Sequence, residues 1–136
     1  MAGFVEKIKA LLTSFTQTTG GVEATLLVDL SDATVQVSYP EGESLHFIGT
    51  ASADSISNFE SGIQSLGGKF SVQEMELVSQ DKRVFTLRIS NDPDYVLCVV
   101  CPINGAKAGV IRTKFQNSVK NEIITAMKEG GLIKKE

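Results

Sequence analysis

The sequence predicts an α/β fold of the α+β kind, a three-layer sandwich in which helices cover both faces of a five-stranded antiparallel sheet. The first observation is the order of hydrophobic patterns along the chain, which alternate between helical and strand-like spacing as α-β-β-α-β-β-β-α. The second is that two strand-like runs, residues 26–28 and 96–101, are apolar at consecutive positions. Because both faces of such strands must be covered, they indicate the centre of a sheet with helices on either side.

Size and composition predict one domain and exclude several kinds of partner. With 136 residues, 42% of them hydrophobic, we expect one domain over residues 1–130 and a frayed tail at 131–136. The net charge of −3 and the absence of a Lys/Arg-rich run argue against a nucleic-acid partner. The longest apolar run, residues 96–101, is too short to cross a bilayer. The opening Met-Ala-Gly-Phe carries neither a secretory nor a myristoylation signal, so we expect a cytoplasmic location.

A helix and a hairpin are predicted over residues 3–39. Apolar side chains recur at helical intervals over residues 3–18, and Gly20-Gly21 ends this helix. Residues 22–30 and 33–39 have the alternation of strands, and the turn residues Ser31-Asp32 between them predict a hairpin. Residues 45–48 suggest a short further extended segment.

The second helix is predicted to begin with Ser52 as its N-cap and to end at Leu66, before Gly67-Gly68. At about 100° per residue, its side chains fall on three stripes. The apolar stripe is expected to cover the sheet and consists of Ile56, Phe59, Ile63 and Leu66. The polar stripe is expected to face water and consists of Ser57, Glu60, Ser61 and Gln64. The third stripe has small or short polar residues that allow another backbone to come close, namely Ser55, Asn58, Gly62 and Ser65.

Three strands and a last helix are predicted for the remainder of the chain. Residues 72–79, 84–90 and 95–101 are strand-like and are joined by turn-rich junctions, which indicates an antiparallel meander. Polar residues interspersed in 72–79 favour an edge strand there. A last helix, ended by Gly130-Gly131, is predicted from apolar residues that recur every four positions: Ile111, Phe115, Val119, Ile123 and Met127.

The candidate chemical groups argue against an enzyme. Cys98 and Cys101 have C-x-x-C spacing, but in a strand residues three apart face opposite sides, so we interpret both as small buried hydrophobic residues. His46 is the only histidine and has no accompanying pattern of nucleophile and acid. No nucleotide-binding glycine motif occurs, and residues 104–109 are interpreted as a strand-to-helix turn rather than a phosphate site. We therefore expect no catalytic residue, metal or cofactor.

The ordered set of elements resembles the Roadblock/dynein light chain family, of the Roadblock/LAMTOR type. Residues 21–29, Gly-Val-Glu-Ala-Thr-Leu-Leu-Val-Asp, are similar to the family's first strand. Residues 109–112, Gly-Val-Ile-Arg, are similar to the opening of its last helix. The resemblance covers roughly residues 3–128. The chain departs from the family pattern at residues 38–49, which are longer and more polar than the usual loop before the second helix.

The resemblance implies a non-catalytic domain that dimerises through its second helix and third strand, with itself or with a related Roadblock chain. In such families the dimer regulates or anchors small GTPases of the Ras, Rag or bacterial gliding type, or attaches cargo to dynein. The third stripe lies on that second helix. We therefore expect a dimer interface formed by Ser55, Asn58, Phe59, Gly62, Ser65, Val72, Glu74 and Glu76.

Two other function classes stay open. A Longin or profilin-like protein-interaction adaptor shares the mixed sheet and the flanking helices but need not form this homodimer. A small-molecule sensor would need an internal cavity, for which Tyr39, His46 and Thr86 are the candidate lining residues. None of the three arginines is identified as an arginine finger from the sequence, and Arg112 is interpreted as an anchor of the last helix.

Overall fold

The computed structural model describes residues 2–68 and 71–132 and confirms the predicted sandwich with the order α-β-β-α-β-β-β-α. The helices are α1 (Ala2–Thr18), α2 (Glu43–Gln64), α3 (Ala108–Lys114) and α4 (Lys120–Glu129), and a π-helical turn (Phe115–Val119) joins the last two. The strands are β1 (Ala24–Asp29), β2 (Thr34–Tyr39), β3 (Glu74–Val78), β4 (Lys82–Asn91) and β5 (Asp94–Pro102).

The sheet has the order β2-β1-β5-β4-β3, and every neighbouring pair is antiparallel. The central strand is β5, whose residues from Tyr95 to Cys101 are all buried. Its neighbour β1 is buried over residues 24–28. Both strands were predicted to lie centrally because they are apolar at consecutive positions, and the structure confirms this. The predicted meander of three strands is also confirmed.

Two cores lie on opposite faces of the sheet. One core packs β5 residues Leu97, Val99 and Cys101 against α1, the π-helical turn and α4. The other packs Val96, Cys98 and Val100 against α2. Cys98 and Cys101 therefore face opposite sides of the sheet as buried free thiols, as predicted from their spacing. Because helices cover both faces, the consecutive apolar residues of β5 are all removed from water.

The second helix begins nine residues earlier than predicted. Residues 45–48, predicted to be extended, belong to α2, and Ser52 is a buried residue within the helix rather than its N-cap. A run of four residues is too short to distinguish helical from strand periodicity. Gly49 allows the early start, because a Cβ there would lie 2.4 Å from a methyl group of Val35. The helix can approach the hairpin only where a side chain is missing.

The early start also changes which face of α2 covers the sheet. Its buried residues are Gly49, Ser52, Ala53 and Ile56. Of the predicted apolar stripe, Phe59 is 51% exposed and Leu66 is 82% exposed, so the prediction that these two cover the sheet is wrong. At about 100° per residue, both lie roughly 70–90° from the centre of the buried face. Hydrophobicity alone could not separate the buried face from an adjacent exposed one.

The last helical stretch is continuous from Ala108 to Glu129 but widens into the π-helical turn at its middle. All five of the residues predicted to recur on its apolar stripe are buried. At its end, the backbone N–H of Leu132 donates to the carbonyl of Met127 at 2.9 Å. Of the tail predicted at 131–136, residues 133–136 lie outside the described part of the chain.

Candidate association surface

The strand β3 forms one edge of the sheet and leaves half of its backbone polar groups pointing outward. Hydrogen bonds join Gln73 to Arg88 and Ser79 to Lys82 across the β3–β4 ladder. Bonding in an antiparallel pair alternates, so Met75 and Leu77 also bond to β4. The N–H and C=O groups of the remaining residues therefore point away from the sheet, and these residues are Glu74, Glu76 and Val78. This edge of the sheet is regular and can pair with another strand.

The opposite edge, β2, is less suited to pairing. Its ladder with β1 shifts register between Leu27 and Val28, so that Gln36 is an extra residue. The helix α1 packs beside β2, and the side-chain amide of Gln17 donates to the hydroxyl of Tyr39 at 3.0 Å. Bulges and covering helices are common protections of sheet edges. The regular edge at β3 has no such irregularity in its pairing with β4.

One exposed face of α2 carries no charged residue. The three charged residues of the helix, Glu43, Asp54 and Glu60, lie on other faces. The uncharged face runs along the C-terminal half of α2 and continues into the following turn, with the residues Ser55, Asn58, Phe59, Gly62 and Leu66. A Cβ added at Gly62 would meet nothing within 4 Å. This helix face is small, uncharged and open to solvent at Gly62, with two large apolar side chains beside it.

The helix α2 and the face of β3 that carries Met75 and Leu77 lie on the same side of the sheet. Met75 packs against the core beneath α2. Leu77 lies two residues further along β3, so its side chain is on the same face of the strand, where it is 43% exposed. We call the combined area the α2–β3 surface and define it by the α2 face, Leu77 and the outward backbone of β3. Leu66 and Leu77 were not among the predicted interface residues. The sequence held no signal for them, because hydrophobicity alone does not distinguish a leucine of the core from an exposed one.

The structure separates the eight predicted interface residues into three groups. Ser55, Asn58, Phe59, Gly62 and Ser65 lie on or beside the exposed α2 face, with Ser55 partly covered. Glu74 and Glu76 contribute outward backbone groups, but their side chains lie on the face away from α2, where Glu74 pairs with Arg112. Val72 is only 6% exposed and precedes β3. It can support the surface from beneath but offers little area to a partner.

A buried ion-pair network lies between α2 and the start of β3. Arg88 on β4 is 6% exposed, and its Nη2 lies 2.7 Å from Oε2 of Glu60. Its Nη1 pairs with the carboxylate of Asp94. Burial raises the pKa of Asp94, although Arg88 acts in the opposite direction. Glu60 was predicted to face water, and its half-buried ion pair with Arg88 corrects that prediction.

The other two arginines also have partners within the chain. Arg112 forms a two-point contact with Glu74, with nitrogen–oxygen distances of 2.7 and 2.6 Å. This pair joins α3 to β3, and it holds the pKa of Glu74 below its usual value. Arg83 donates to the carbonyl of Ala106 and lies over the ring of Phe85 at 5.2 Å.

The residues considered for a sensor cavity do not come together. Tyr39 packs against the core beneath α1, whereas Thr86 lies on the α2 face, where its hydroxyl is 3.7 Å from the sulfur of Cys98. The two are therefore on opposite sides of the sheet. His46 is exposed on α2 and lines a surface groove with Phe47 and Thr50. The arrangement corrects the expectation that these residues could line one cavity.

The segment 104–109 is shaped by a close approach of two backbones. The N–H of Ala106 donates to the carbonyl of Gly21 at 3.1 Å. A Cβ at Gly21 would lie 2.3 Å from the nitrogen of Ala106, and one at Gly105 would lie 2.4 Å from the oxygen of Gly21. Both glycines are therefore needed for chain packing. This accounts for the glycine at 105 without a bound phosphate.

The buried thiol of Cys98 leads to a prediction about alkaline stability. Burial raises its pKa from 9.0 to about 11, against the opposing effect of hydrogen bonds from Thr86 and Ser52. Above the ordinary thiol pKa, the unfolded chain loses this proton while the folded chain keeps it. The free energy of unfolding must therefore fall as pH rises through that window.

We expect the wild type to lose stability between about pH 9 and pH 11 more steeply than Cys98→Ala, in urea unfolding at matched ionic strength. The variant is the control, because every other group that titrates in this range is common to both proteins. Parallel curves for the two proteins would contradict the prediction.

The described residues contain neither a candidate membrane-spanning helix nor a candidate metal site. No helix there combines the length and the apolar character needed to cross a bilayer. No group of three or more His, Cys, Asp or Glu side chains is arranged to hold a metal ion.

Comparisons with known proteins found matches among solved structures. No protein-family model matches the sequence, and no curated protein matches it. MglB from Myxococcus xanthus superimposes with a TM-score of 0.74 at 16% identity, over 96% of this chain and 93% of that chain. An MglB with a tetrameric arrangement has a TM-score of 0.70 at 16% identity, over 90% of this chain and 92% of that chain. A Roadblock/LC7 domain from Streptomyces avermitilis has a TM-score of 0.66 at 15% identity, over 89% of this chain and 92% of that chain.

Proposed function

We propose that this chain, whose fold is that of the Roadblock/LC7 domain, is a non-catalytic module that dimerises through its α2–β3 surface and binds or regulates a small Ras-like GTPase. The observation that carries the proposal is a regular sheet edge with outward backbone groups that carries the exposed Leu77, together with the exposed Leu66 that follows α2. Each feature alone is common on protein surfaces. Together they match the chemistry of strand pairing reinforced by apolar burial.

A twofold axis beside β3 would satisfy both features at once. Two copies of β3 would pair antiparallel, joining two five-stranded sheets and using the outward groups of Glu74, Glu76 and Val78. The same axis would bring the two α2 helices together over the seam. Because Gly62 has no side chain and no charge lies on this face, the helix backbones can approach closely. The 22-residue helix is long enough to contribute substantially to a stable interface, which typically buries about 800 Å² per partner.

The GTPase part of the proposal rests on the resemblance of the fold. The chain has no nucleotide-binding glycine motif of its own, so it would act on a partner's nucleotide cycle rather than hold nucleotide. A rigid dimer surface can do so by holding a switch region in one conformation. Arg88 is 6% exposed and is held by carboxylates within the chain, so it is not offered to a partner.

The solution mass tests the dimer. Light scattering coupled to size exclusion should give twice the 14.6 kDa chain mass, or a dimer with a related Roadblock chain where that chain is supplied. Gly62→Leu is expected to shift the wild-type dimer towards monomer by at least about tenfold in dissociation constant, because the added side chain separates the helices. The fold should be retained, since Leu is a better helix former than Gly and its Cβ meets no atom in the single chain.

Gly3→Leu is the matched control for Gly62→Leu. Gly3 is also an exposed helical glycine whose added Cβ would meet nothing within 4 Å, and it lies on α1, away from the α2–β3 surface. It should leave the mass unchanged. A wild type that is monomeric over a wide concentration range, both alone and with the related Roadblock chain, or a Gly62→Leu variant that dimerises normally, would overturn the proposed interface.

Binding to Ras-like GTPases tests the second part of the proposal. A panel of small GTPases, each loaded with GDP or a non-hydrolysable GTP analogue, should include one that binds the dimer with a preference for one nucleotide state. Binding should weaken in the Gly62→Leu variant if the platform is the dimer. Equal binding of both nucleotide states by every positive partner would argue against regulation and leave only a scaffold.

A further inference from the structure

We propose that Glu60 and Arg88 are positioning residues that clamp the Val72 peptide groups and so hold the two halves of the α2–β3 surface in one arrangement. The inference rests on the proposed dimerisation through that surface. The carboxylate of Glu60 accepts the N–H of Val72 at 2.7 Å, and Nε of Arg88 donates to the carbonyl of Val72 at 2.8 Å. Glu60 and Arg88 also pair with each other. A single residue of the backbone is thus held from both sides.

The clamp lies where it can control the surface. Glu60 directly follows Phe59 on α2, and Val72 lies two residues before the first residue of β3. One end of the clamp therefore lies on α2, about 100° around the helix from Phe59, and the other lies just before the sheet edge. Arg88 completes the connection from β4, the strand that pairs with β3.

The C-terminal half of α2 has few other attachments to the sheet. Ile56 is the last buried residue of the helix, and of residues 57–64 only Glu60 and Ile63 are partly buried. Apolar packing thus holds the N-terminal half and the middle of α2, while the half that carries Phe59 and Gly62 depends more on the clamp. Loss of the clamp should let this half move relative to β3.

An arginine at this position is not explained by stability alone. Arg88 is almost fully buried on a strand next to the central one, and removing its charge from water costs free energy that an apolar residue would avoid. Its bonds to Glu60, Asp94 and the carbonyl of Val72 offset that cost. Hydrogen bonds have a fixed direction and length, so they define the relative placement of α2 and β3 more narrowly than apolar contacts do.

The test compares Glu60→Ala with two other variants in sedimentation or light-scattering titrations. Glu60→Ala should raise the dimer dissociation constant about tenfold or more, because the surface is no longer held in its associating arrangement. Glu60→Gln keeps an oxygen that can accept the N–H of Val72 and should stay within about threefold of wild type. Asp94→Asn removes a charge partner of Arg88 without touching Val72, and it should also dimerise like wild type.

Hydrogen exchange separates positioning from a general loss of stability. In Glu60→Ala the amide of Val72 should lose protection, together with the amides of Met75 and Leu77, which bond to β4. Amides of the central strands β1 and β5 should keep theirs. Unchanged protection at Val72, or wild-type dimerisation of Glu60→Ala, would overturn the inference.

The two proposals fail in distinguishable ways. A wild type that stays monomeric both alone and with a related Roadblock chain would overturn the proposed dimer and, with it, the positioning role for association. A dimeric wild type whose affinity is the same in Glu60→Ala would overturn the positioning role alone. Equal weakening of dimerisation by Asp94→Asn and Glu60→Ala would show that loss of a charge partner of Arg88, rather than loss of the contact with Val72, is responsible. This outcome would also overturn the clamp.

Discussion

Leu66→Glu combined with Leu77→Glu is expected to give a folded chain whose dimer dissociation constant is raised roughly 100-fold or more. Leu66 is 82% exposed and Leu77 is 43% exposed, so neither substitution places a charge inside the single chain. In the proposed dimer, each carboxylate would be removed from water in an apolar contact. The twofold axis would also bring like charges from the two copies towards each other.

Analytical ultracentrifugation over a wide concentration range measures this change, and circular dichroism with urea unfolding checks the fold. The control is Val5→Glu combined with Val110→Glu, which introduces the same charge at valines that are 44% and 49% exposed on α1 and α3. The control should dimerise as the wild type does. Equal weakening of association by both double variants would point to a general effect of charge and would contradict the proposed surface.

Phe115→Ala is expected to lower the free energy of unfolding by about 3–5 kcal/mol, a large part of the stability of a single domain. Phe115 is 1% exposed and lies at the start of the π-helical turn, in the core shared by α1, α4 and the sheet. Its removal would lose buried apolar area and leave a cavity that the surrounding helices cannot fully close.

Urea unfolding followed by circular dichroism measures the loss. Phe47→Ala is the matched control, because Phe47 has the same side chain but is 75% exposed on α2. Its effect should be within about 0.5 kcal/mol of zero. A small loss for Phe115→Ala would mean that the core on this face of the sheet rearranges readily, contrary to the packing described above.

The sequence predicted well those elements that have a long apolar repeat or a run of consecutive apolar residues. The stretch 96–101 indicated the central strand because its consecutive apolar residues require cover on both faces, and β5 lies there. The spacing of four on the last helix indicated its buried stripe from Ile111 to Met127. The π-helical turn within that helix was not predicted, because one widened turn leaves the apolar repeat nearly unchanged.

The α2–β3 surface was recognised only in part from the sequence. The small residues Ser55, Asn58 and Gly62 were recognised from their spacing, and they lie on the partly or fully exposed side of α2. Leu66 was assigned to the core because hydrophobicity does not distinguish a residue that covers the sheet from one that remains exposed. Glu60 was assigned to water because a charged residue on the same helix stripe as Ser57 and Ser61 is typical of a solvated face.

The sequence by itself determined the class of fold, the order of its elements, the central strands and the opposite orientations of Cys98 and Cys101, since these follow from local periodicity. Only the tertiary structure decided where α2 begins, which of its faces is exposed, and that Glu60 and Arg88 meet around Val72. Those features depend on groups far apart in the chain. Glu60 and Arg88 are 28 residues apart in the sequence, and no local pattern indicates that folding brings Nη2 of Arg88 within 2.7 Å of Oε2 of Glu60.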